Sequence, residues 1–388
     1  MNATIPAVAL KSQYESIRGE IEAALRNLLE RQSFILGPEV RELEQLVAQK
    51  HGCAHAIGCA SGSDALLLSL LALGVGPGDQ VIVPAFTFFA TAGSVARLGA
   101  RPLIVDVEPR TFNISPQAVE QALQRSKANG PIKAIIPVHL YGQCADMDAL
   151  SELAKQHHLY IVEDAAQAIL ARYREQAAGS MGHCGAFSFF PTKNLGGYGD
   201  GGMITTNDSA LAERLRSLRV HGATKKYFHN ELGLNSRLDN LQAAILLVKA
   251  RHLDQWTEAR RTKAEFYRTA FQLAGLSDST AAVPTQQRPI VLPYLAPHRT
   301  HVYHQFTVRA YRRDELSQSL AQRGIETAVY YPVPLHMQPA FSYLGDLAGQ
   351  CPESECAANE VLSLPIYPEI TEQQQTCVVE EMKRFYGL

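Results

Sequence analysis

Between residues 55 and 164 the chain alternates short apolar segments with longer amphipathic ones. The apolar segments lie at 55–60, 80–84, 101–107, 132–138 and 159–164. The segments between them space their apolar residues as a helix does, and the one that begins at Ser115 opens with Ser-Pro, a favoured helix start. Apolar strands alternating with helices predict a mostly parallel sheet with helices on both faces. Strand patterns at 185–190 and 202–206 extend the predicted sheet to seven strands.

The pattern changes after about residue 250. A long polar-faced helix is predicted over 253–271, and a stretch rich in Pro, Ser and Thr follows it. Shorter patterns, including 302–308 and 324–332, then lead to a last helix at 371–386. A chain of 388 residues also suggests about two domains. We therefore predict a large domain over 1–250, which includes an N-terminal helical segment, and a smaller C-terminal α/β domain over 251–388.

Charge and cysteine content argue against several classes of protein. The formal net charge is −2, without a long run of like charges, so neither nucleic acid nor an anionic membrane is an expected partner. The seven cysteines form no C-x-x-C pair, which predicts free thiols in a reducing compartment. No apolar run is long enough to cross a membrane, and the start does not resemble a signal peptide, so we expect a cytoplasmic protein. The histidines show no metal-binding spacing, and no metal is predicted.

Polar residues fall at the ends of the predicted strands, which is where sheets of this type bind ligands. Ser-Gly-Ser at 61–63 joins a strand to a helix, so Gly62 and Ser63 could bind an anion there. The same tripeptide is also a common helix cap. Asp164 ends another strand, where a buried carboxylate needs a partner such as a protonated ring nitrogen. An aspartate in this position can alternatively cap the helix that follows.

Lys193 lies in the segment FSFFPTKNLGGYGDGG at 187–202. Its glycines come after the lysine, whereas a P-loop has them before it. A lysine at a strand end is either a surface charge or, when desolvated, a nucleophile that captures a carbonyl group. Phe88 is either a core residue or a stacking surface for a planar ring. An anion site, a carboxylate, a lysine and an aromatic residue together predict pyridoxal 5'-phosphate (PLP).

The sequence resembles the DegT/DnrJ/EryC1/StrS family of sugar aminotransferases, which have the type I aminotransferase fold. The resemblance spans nearly the whole chain, and its motifs are FILGPEV, PAFTFFATA, PVHLYGQCADMDAL, EDAAQA, SFFPTKNLGGYGDGGMITTND, RVHG, LGLNSRLDNLQAAILLVK and YYPVPLHMQPAF. Within the family the chain is similar to enzymes that aminate C3 of a UDP-linked 2-acetamido-3-keto glucuronate. The resemblance therefore implies a role in bacterial O-antigen and lipopolysaccharide biosynthesis.

The resemblance also implies a role for each matching residue. Lys193 matches the lysine that forms a Schiff base with PLP, and Asp164 matches the partner of the pyridine nitrogen. Further implied cofactor contacts are Gly62, Ser63, Phe88, Gln167, Ser188 and Asn235. Implied substrate contacts are Phe34, Thr192, Arg237, Tyr330, Tyr331 and His336. Because the family's counterparts of Asn235 and Arg237 reach into a neighbouring subunit, a homodimer is implied.

Transamination with L-glutamate as the amino donor is the reaction that the resemblance implies. Relatives that dehydrate sugars carry histidine in place of Lys193, so the lysine favours amino transfer. Tyr330-Tyr331 replaces a His-Tyr pair of the glucuronate enzymes, which leaves a dTDP-linked 3-keto-6-deoxyhexose as an alternative substrate. A PLP lyase or desulfurase is a further alternative, since Cys351 and Cys356 lie in a loop-like stretch. A DNA-binding regulator and a nicotinamide dehydrogenase are disfavoured, because the chain has no basic DNA-binding segment and no G-x-G-x-x-G motif follows its first strand.

Overall fold

The structure is a computed structural model that describes residues 4–125, 130–277 and 282–388. Its helices are α1 (Leu10–Arg31), α2 (Pro38–His51), α3 (Gly62–Ala72), α4 (Ala90–Arg97), α5 (Pro116–Arg125), α6 (Met147–Gln156), α7 (Ser209–Leu218), α8 (Asn240–Leu273), α9 (Arg313–Gln322), α10 (Pro352–Glu360) and α11 (Glu372–Tyr386). Its strands are β1 (His55–Cys59), β2 (Gln80–Pro84), β3 (Arg101–Val105), β4 (Ile132–Ile135), β5 (Tyr160–Asp164), β6 (Arg172–Tyr173), β7 (Gln176–Ala177), β8 (Cys184–Ser188), β9 (Gly202–Thr206), β10 (Ala223–Lys225), β11 (Phe228–His229), β12 (Ile290–Val291), β13 (Phe306–Ala310) and β14 (Val361–Leu364).

The main sheet has seven strands in the order β1-β9-β8-β5-β4-β2-β3. Strand β9 runs antiparallel to both of its neighbours, whereas the pairs from β8 to β3 are parallel. Strands β1, β2, β5 and β8 consequently point the same way, and their carboxyl ends lie at one edge of the sheet. The predicted α/β fold with a mostly parallel seven-stranded sheet is confirmed.

Helices cover both faces of this sheet, and the two-residue period of the strands explains how. Ile82 packs into a core cluster with residues of α2, α6 and α8 on one face. Its neighbours Val81 and Val83 point the other way and pack with α3, α4 and α7. Successive side chains of a strand alternate between faces, so β2 is buried along its whole length. The alternation of apolar and amphipathic segments in the sequence reflects this burial on both sides.

A second, antiparallel sheet contains β12, β13 and β14. It packs against α9, α11 and the second half of α8 around a separate apolar core. The segment 324–332 contributes two isolated bridges, from Ile325 to Ile5 and from Ala328 to Ser363, and β14 supplies the strand that pairs with β13. Residue 250 lies inside α8, and Ile5 near the N-terminus packs into the core of this second unit. The division into 1–250 and 251–388 stays a prediction.

Within the ranges that the structure describes, no helix is both long and apolar enough to cross a membrane.

Candidate active site

A cavity of about 480 Å³ opens at the edge of the main sheet where β1, β2, β5 and β8 end. The parallel direction of these strands brings together residues from distant parts of the sequence. Ten predicted site residues line the cavity: Gly62, Ser63, Phe88, Asp164, Gln167, Ser188, Thr192, Lys193, Tyr330 and Tyr331.

Asp164 is buried at the end of β5, on the wall of the cavity. Its Oδ2 accepts a hydrogen bond of 2.8 Å from Thr91 Oγ1, and its Oδ1 accepts one of 3.2 Å from the backbone N–H of Ala166. Burial raises the pKa of Asp164 above its usual value, although these two donors and the charge of Lys193 act in the opposite direction. A cationic partner in the cavity would favour the ionised carboxylate.

Lys193 faces the same cavity from the turn that follows β8. Its backbone N–H donates to Phe190 O at 2.8 Å, which fixes the start of the turn. Desolvation lowers the pKa of Lys193 to about 8, and the attraction of Asp164 offsets only part of this effect. An amine with such a pKa is unprotonated in an appreciable fraction of molecules near neutral pH, so it can act as a nucleophile or a base.

The N-terminus of α3 lines one side of the cavity. Ser61 caps this helix, because its Oγ accepts a hydrogen bond of 3.1 Å from the N–H of Asp64. The N–H groups of Gly62 and Ser63 lie in the first turn, where no carbonyl of the helix can accept from them. A Cβ on Gly62 would come within 2.7 Å of Ser188 Cβ, so glycine lets the helix start lie against the end of β8.

The glycine-rich segment after Lys193 permits close backbone contacts. A Cβ on Gly196 would collide with the carbonyl of Pro191, and one on Gly202 would collide with the carbonyl of Ser61. Gly196 O also accepts a hydrogen bond of 2.7 Å from Lys249 Nζ, a fully buried ammonium on α8. These contacts hold the lysine turn against both α8 and the start of α3.

Aromatic and amide side chains form the opposite wall. The Phe88 side chain is 55% exposed, and its ring centroid lies 6.0 Å from that of Tyr331. Gln167 Nε2 donates to Tyr331 Oη at 3.1 Å, and Gln167 Oε1 accepts from the N–H of Tyr141 at 2.6 Å. Burial raises the pKa of Tyr331, so its hydroxyl stays protonated. An exposed aromatic face beside a fixed phenol and amide suits a planar ring that carries polar substituents.

Four predicted site residues do not line this cavity in the single chain. Asn235 is exposed, and Arg237, which is half-buried, makes no hydrogen bond or ion pair with a described residue. Phe34 is half-buried and its carbonyl accepts from the N–H of Asn240 at 2.9 Å. His336 is buried, and its Nε2 lies 2.9 Å from Glu355 Oε1.

A model of the DegT/DnrJ/EryC1/StrS aminotransferase family matches residues 15–383. The chain belongs to this family. A Geobacillus stearothermophilus relative named pleiotropic regulatory protein is 52% identical to this aminotransferase, with 98% of each chain covered. Two further relatives are named for sugar amination at position 3.

The first of them is the UDP-N-acetyl-3-dehydro-α-D-glucosamine 3-aminotransferase of Acidithiobacillus ferrooxidans, which is 44% identical over 99% of this chain and 98% of its own. The second is the UDP-2-acetamido-2-deoxy-3-oxo-D-glucuronate aminotransferase of Pseudomonas aeruginosa, 42% identical over 94% and 95%. Among solved structures, DesV of Streptomyces venezuelae in complex with a ketimine intermediate superposes with a TM-score of 0.92, at 43% identity and complete coverage of both chains.

Aminotransferases of this family depend on PLP, and the cavity fits this cofactor. The free N–H groups at the start of α3 match a phosphate, and the absence of a Cβ on Gly62 lets them lie close to Ser188. Asp164 is a buried carboxylate without a cationic hydrogen-bond partner among the described residues, which is what a protonated ring nitrogen requires. Lys193 supplies an amine of lowered pKa for the aldehyde.

Sequence reasoning did not identify several residues of the cavity and its supports. They are Thr87, Thr91, Asn194, Asp200, His304 and Gln305. Thr91 lies in the first turn of α4. Its contact with Asp164 depends on how α4 packs against the sheet, which the sequence pattern does not show. His304 comes from the stretch before β13 and has no nearby motif. Its one sequence signal is a polar residue next to the start of a buried strand.

Proposed function

We propose that this aminotransferase moves an amino group from L-glutamate to C3 of a nucleotide-linked 3-keto sugar, as a step of surface polysaccharide synthesis. The observation that carries the proposal is that Lys193 and Asp164 line one cavity, which thus holds an amine of lowered pKa and a buried carboxylate. The position on the sugar follows from relatives named for amination or oxidation at C3.

Each chain residue has a distinct task in this proposal. PLP, when bound, supplies an electron sink that stabilises negative charge next to the transferred nitrogen. Asp164 holds a positive charge on the ring nitrogen through its carboxylate, which Thr91 and Ala166 orient. Lys193 Nζ acts as the base that removes the proton from Cα of L-glutamate and, in the second half of the reaction, as the acid that gives a proton to C3 of the sugar. The α3 N–H groups and Ser188 bind the phosphate.

The proposed sugar is a UDP-linked 2-acetamido-3-keto glucuronate, whose carboxylate needs a cation. Arg237 is suited to this task because a guanidinium binds a carboxylate through two hydrogen bonds. Its side chain has no partner among the described residues, and it does not line the cavity of its own chain. Both facts support a homodimer in which Asn235 and Arg237 complete the cavity of the second subunit.

An uncharged dTDP-linked 3-keto-6-deoxyhexose is the second candidate, and the charge of the cavity favours it. Among the described residues that line the cavity, Lys193 is the only lysine or arginine, and His304 has a pKa well below its usual value. A single chain therefore offers a sugar carboxylate no cation apart from the catalytic lysine. The two candidates differ in whether kcat/KM for the sugar depends on Arg237.

A panel of keto-sugar nucleotides tests both candidates. Each sugar is incubated with L-glutamate, and 2-oxoglutarate is measured for the native protein and for Arg237→Ala. If the glucuronate is the substrate, Arg237→Ala lowers kcat/KM at least tenfold for it and changes it little for an uncharged sugar, because a lost bidentate pair costs more than 1.4 kcal/mol. No 2-oxoglutarate with any 3-keto sugar would contradict the proposal.

The lyase or desulfurase alternative gains no support from the cysteines. Cys351 and Cys356 do not line the cavity. Burial raises the pKa of Cys351 to about 12 and also raises that of Cys356, so neither thiol forms a thiolate readily. The variants Cys351→Ser and Cys356→Ser should therefore keep the amino transfer activity.

A further inference from the structure

Arg260 lies on α8 and borders a small cavity next to the catalytic one. The small cavity has a volume of about 30 Å³ and shares four lining residues with the catalytic cavity. The shared residues are Thr192, His304, Gln305 and Tyr330. Arg260 is only 6% exposed, and it lines the small cavity but not the catalytic one. The mechanism assigns no task to this buried guanidinium.

Four arginines among the described residues are buried, and three of them have a carboxylate partner. The three ion pairs, with N···O distances between 2.5 and 2.6 Å, are Arg219–Glu44, Arg309–Glu360 and Arg313–Asp314. Arg260 is the fourth, and it forms no ion pair with any residue that the structure describes. Because a buried charge is costly unless it is paired, Arg260 lacks the counter-charge that the other three have.

Only one nitrogen of the Arg260 side chain is bound by the described residues. Nη1 donates to the carbonyl oxygens of Tyr303 and Ile366 at 3.0 Å and lies 3.5 Å from that of His304. Nε and Nη2 carry three further N–H donors, which have no acceptor among these residues. Burial lowers the pKa of Arg260 to about 10, and only Glu369 acts in the opposite direction, so the guanidinium is charged at neutral pH.

The small cavity has room for an anion and is lined by no acidic side chain of the described chain. A volume of about 30 Å³ holds about two atoms or molecules of the size of water, since each needs about 10–15 Å³. His304 is neutral, because burial and the charges of Lys193 and Arg260 lower its pKa well below the usual value. Gln305 Oε1 is a buried acceptor without a partner among the described residues, and a water beside the anion would donate to it.

We propose that the small cavity is an anion site, in which the two free nitrogens of Arg260 bind one anion of about the size of chloride. The anion supplies the missing counter-charge and connects α8 with His304 and Gln305, which also line the catalytic cavity. Two sources share this chemistry, namely free chloride and a carboxylate group that enters from the catalytic cavity. The inference does not depend on the proposed function.

Thermal unfolding of the full-length protein, saturated with PLP, tests the proposal. The midpoint is measured in mixtures of sodium chloride and sodium isethionate at constant ionic strength, because isethionate is too large for the cavity. A ligand that binds only the folded state raises the midpoint, and the effect grows with the logarithm of its concentration above Kd. We expect this dependence on chloride. If a carboxylate group also fits the site, sodium acetate has the same effect as chloride, and otherwise only chloride has it.

Arg260→Met and Gln305→Glu should both abolish the chloride dependence. The first removes the cation, and the second places a carboxylate on the cavity wall, which either pairs with Arg260 or repels the anion. Arg313→Met is the matched control, because Arg313 is also a buried arginine that donates to two backbone carbonyl oxygens, but it has Asp314 as its counter-charge. It should keep the chloride dependence of the native protein.

A midpoint that depends on neither chloride nor acetate in the native protein would mean that water alone fills the cavity, and it would overturn the proposal. An equal anion dependence in the native protein and Arg260→Met would overturn it as well. If Arg260→Met does not fold, Gln305→Glu decides the question in the same way. None of these measurements uses a sugar or an amino donor, so their outcome is independent of whether the proposed substrate is correct.

Discussion

Thr91 Oγ1 donates a 2.8 Å hydrogen bond to Asp164 Oδ2 and so joins the first turn of α4 to the end of β5. Thr87 Oγ1 lies 3.2 Å from the same hydroxyl. Because the Thr91 proton is used on Asp164, Thr87 is the donor to Thr91. The two hydroxyls form a short chain that favours the ionised form of a carboxylate whose pKa burial raises.

Thr91→Val should weaken cofactor binding while preserving side-chain shape. Without its donor the pKa of Asp164 rises further, and the carboxylate pairs less well with a protonated ring nitrogen. We expect the Kd for PLP to rise about tenfold, the effect of losing a hydrogen bond to a charged group worth roughly 1.5 kcal/mol. Quenching of protein fluorescence on titration with PLP measures the affinity.

Thr257→Val is the control for Thr91→Val. The Thr257 hydroxyl is also buried, but it donates to Leu253 O within α8, away from the cavity. Both variants should lose similar stability, and only Thr91→Val should lose PLP affinity. Equal PLP affinity in the two variants would show that the Thr91 contact is structural only.

Gly62→Ala should also reduce PLP affinity, through the phosphate end of the site. The added Cβ would lie 2.7 Å from Ser188 Cβ, so the start of α3 and the end of β8 must move apart. We expect the affinities for both PLP and inorganic phosphate to fall, which equilibrium dialysis measures.

Gly19→Ala provides the comparison with Gly62→Ala. Nothing lies within 4 Å of a Cβ at Gly19, in the interior of α1, so this change should stabilise the protein by up to about 1 kcal/mol and leave PLP binding unaltered. A Gly62→Ala protein with native PLP affinity would disprove the role given to this contact.

Lys249 should make stability depend on pH above neutrality. Lys249 is 1% exposed, and desolvation lowers the pKa of its amine to about 8. The unfolded chain, with a pKa near 10.4, therefore binds more protons between about pH 8 and 10.4, and the free energy of unfolding rises with pH in this window. In Lys249→Met this slope should decrease by up to about 1.4 kcal/mol per pH unit.

Urea unfolding at several pH values measures the slope. Lys193 also has a pKa lowered to about 8, but it is present in both proteins, so their difference isolates Lys249. Identical slopes in the native protein and Lys249→Met would mean that the buried amine does not titrate in this range.

Much of the cavity could be predicted from the sequence because its residues follow strands. Asp164 and Ser188 are the last residues of β5 and β8, and Lys193 lies five residues beyond. Parallel strands place such ends at one edge, so a pattern of apolar segments also locates the polar residues beside them.

The side chains that hydrogen-bond to residues of the cavity could not be predicted in the same way. Thr91 contacts Asp164 from a helix, and His304 contacts Asn194 across 110 residues of sequence, so both contacts depend on how the elements pack. Strand β14 is a four-residue segment directly after α10, too short to show a two-residue period of its own. Asn235 and Arg237 lie outside the cavity of the single chain, and their task stays a prediction.

The most direct test of the account follows the nitrogen itself. The protein is incubated with PLP, L-glutamate labelled with ¹⁵N on its amino group and a UDP-linked 3-keto sugar, and the product is analysed by NMR. We predict ¹⁵N bonded to C3 of the sugar, one 2-oxoglutarate for each amino sugar formed, and no product from Lys193→Ala. Amino sugar formed at an undiminished rate by Lys193→Ala, or label absent from every keto sugar offered, would contradict the account.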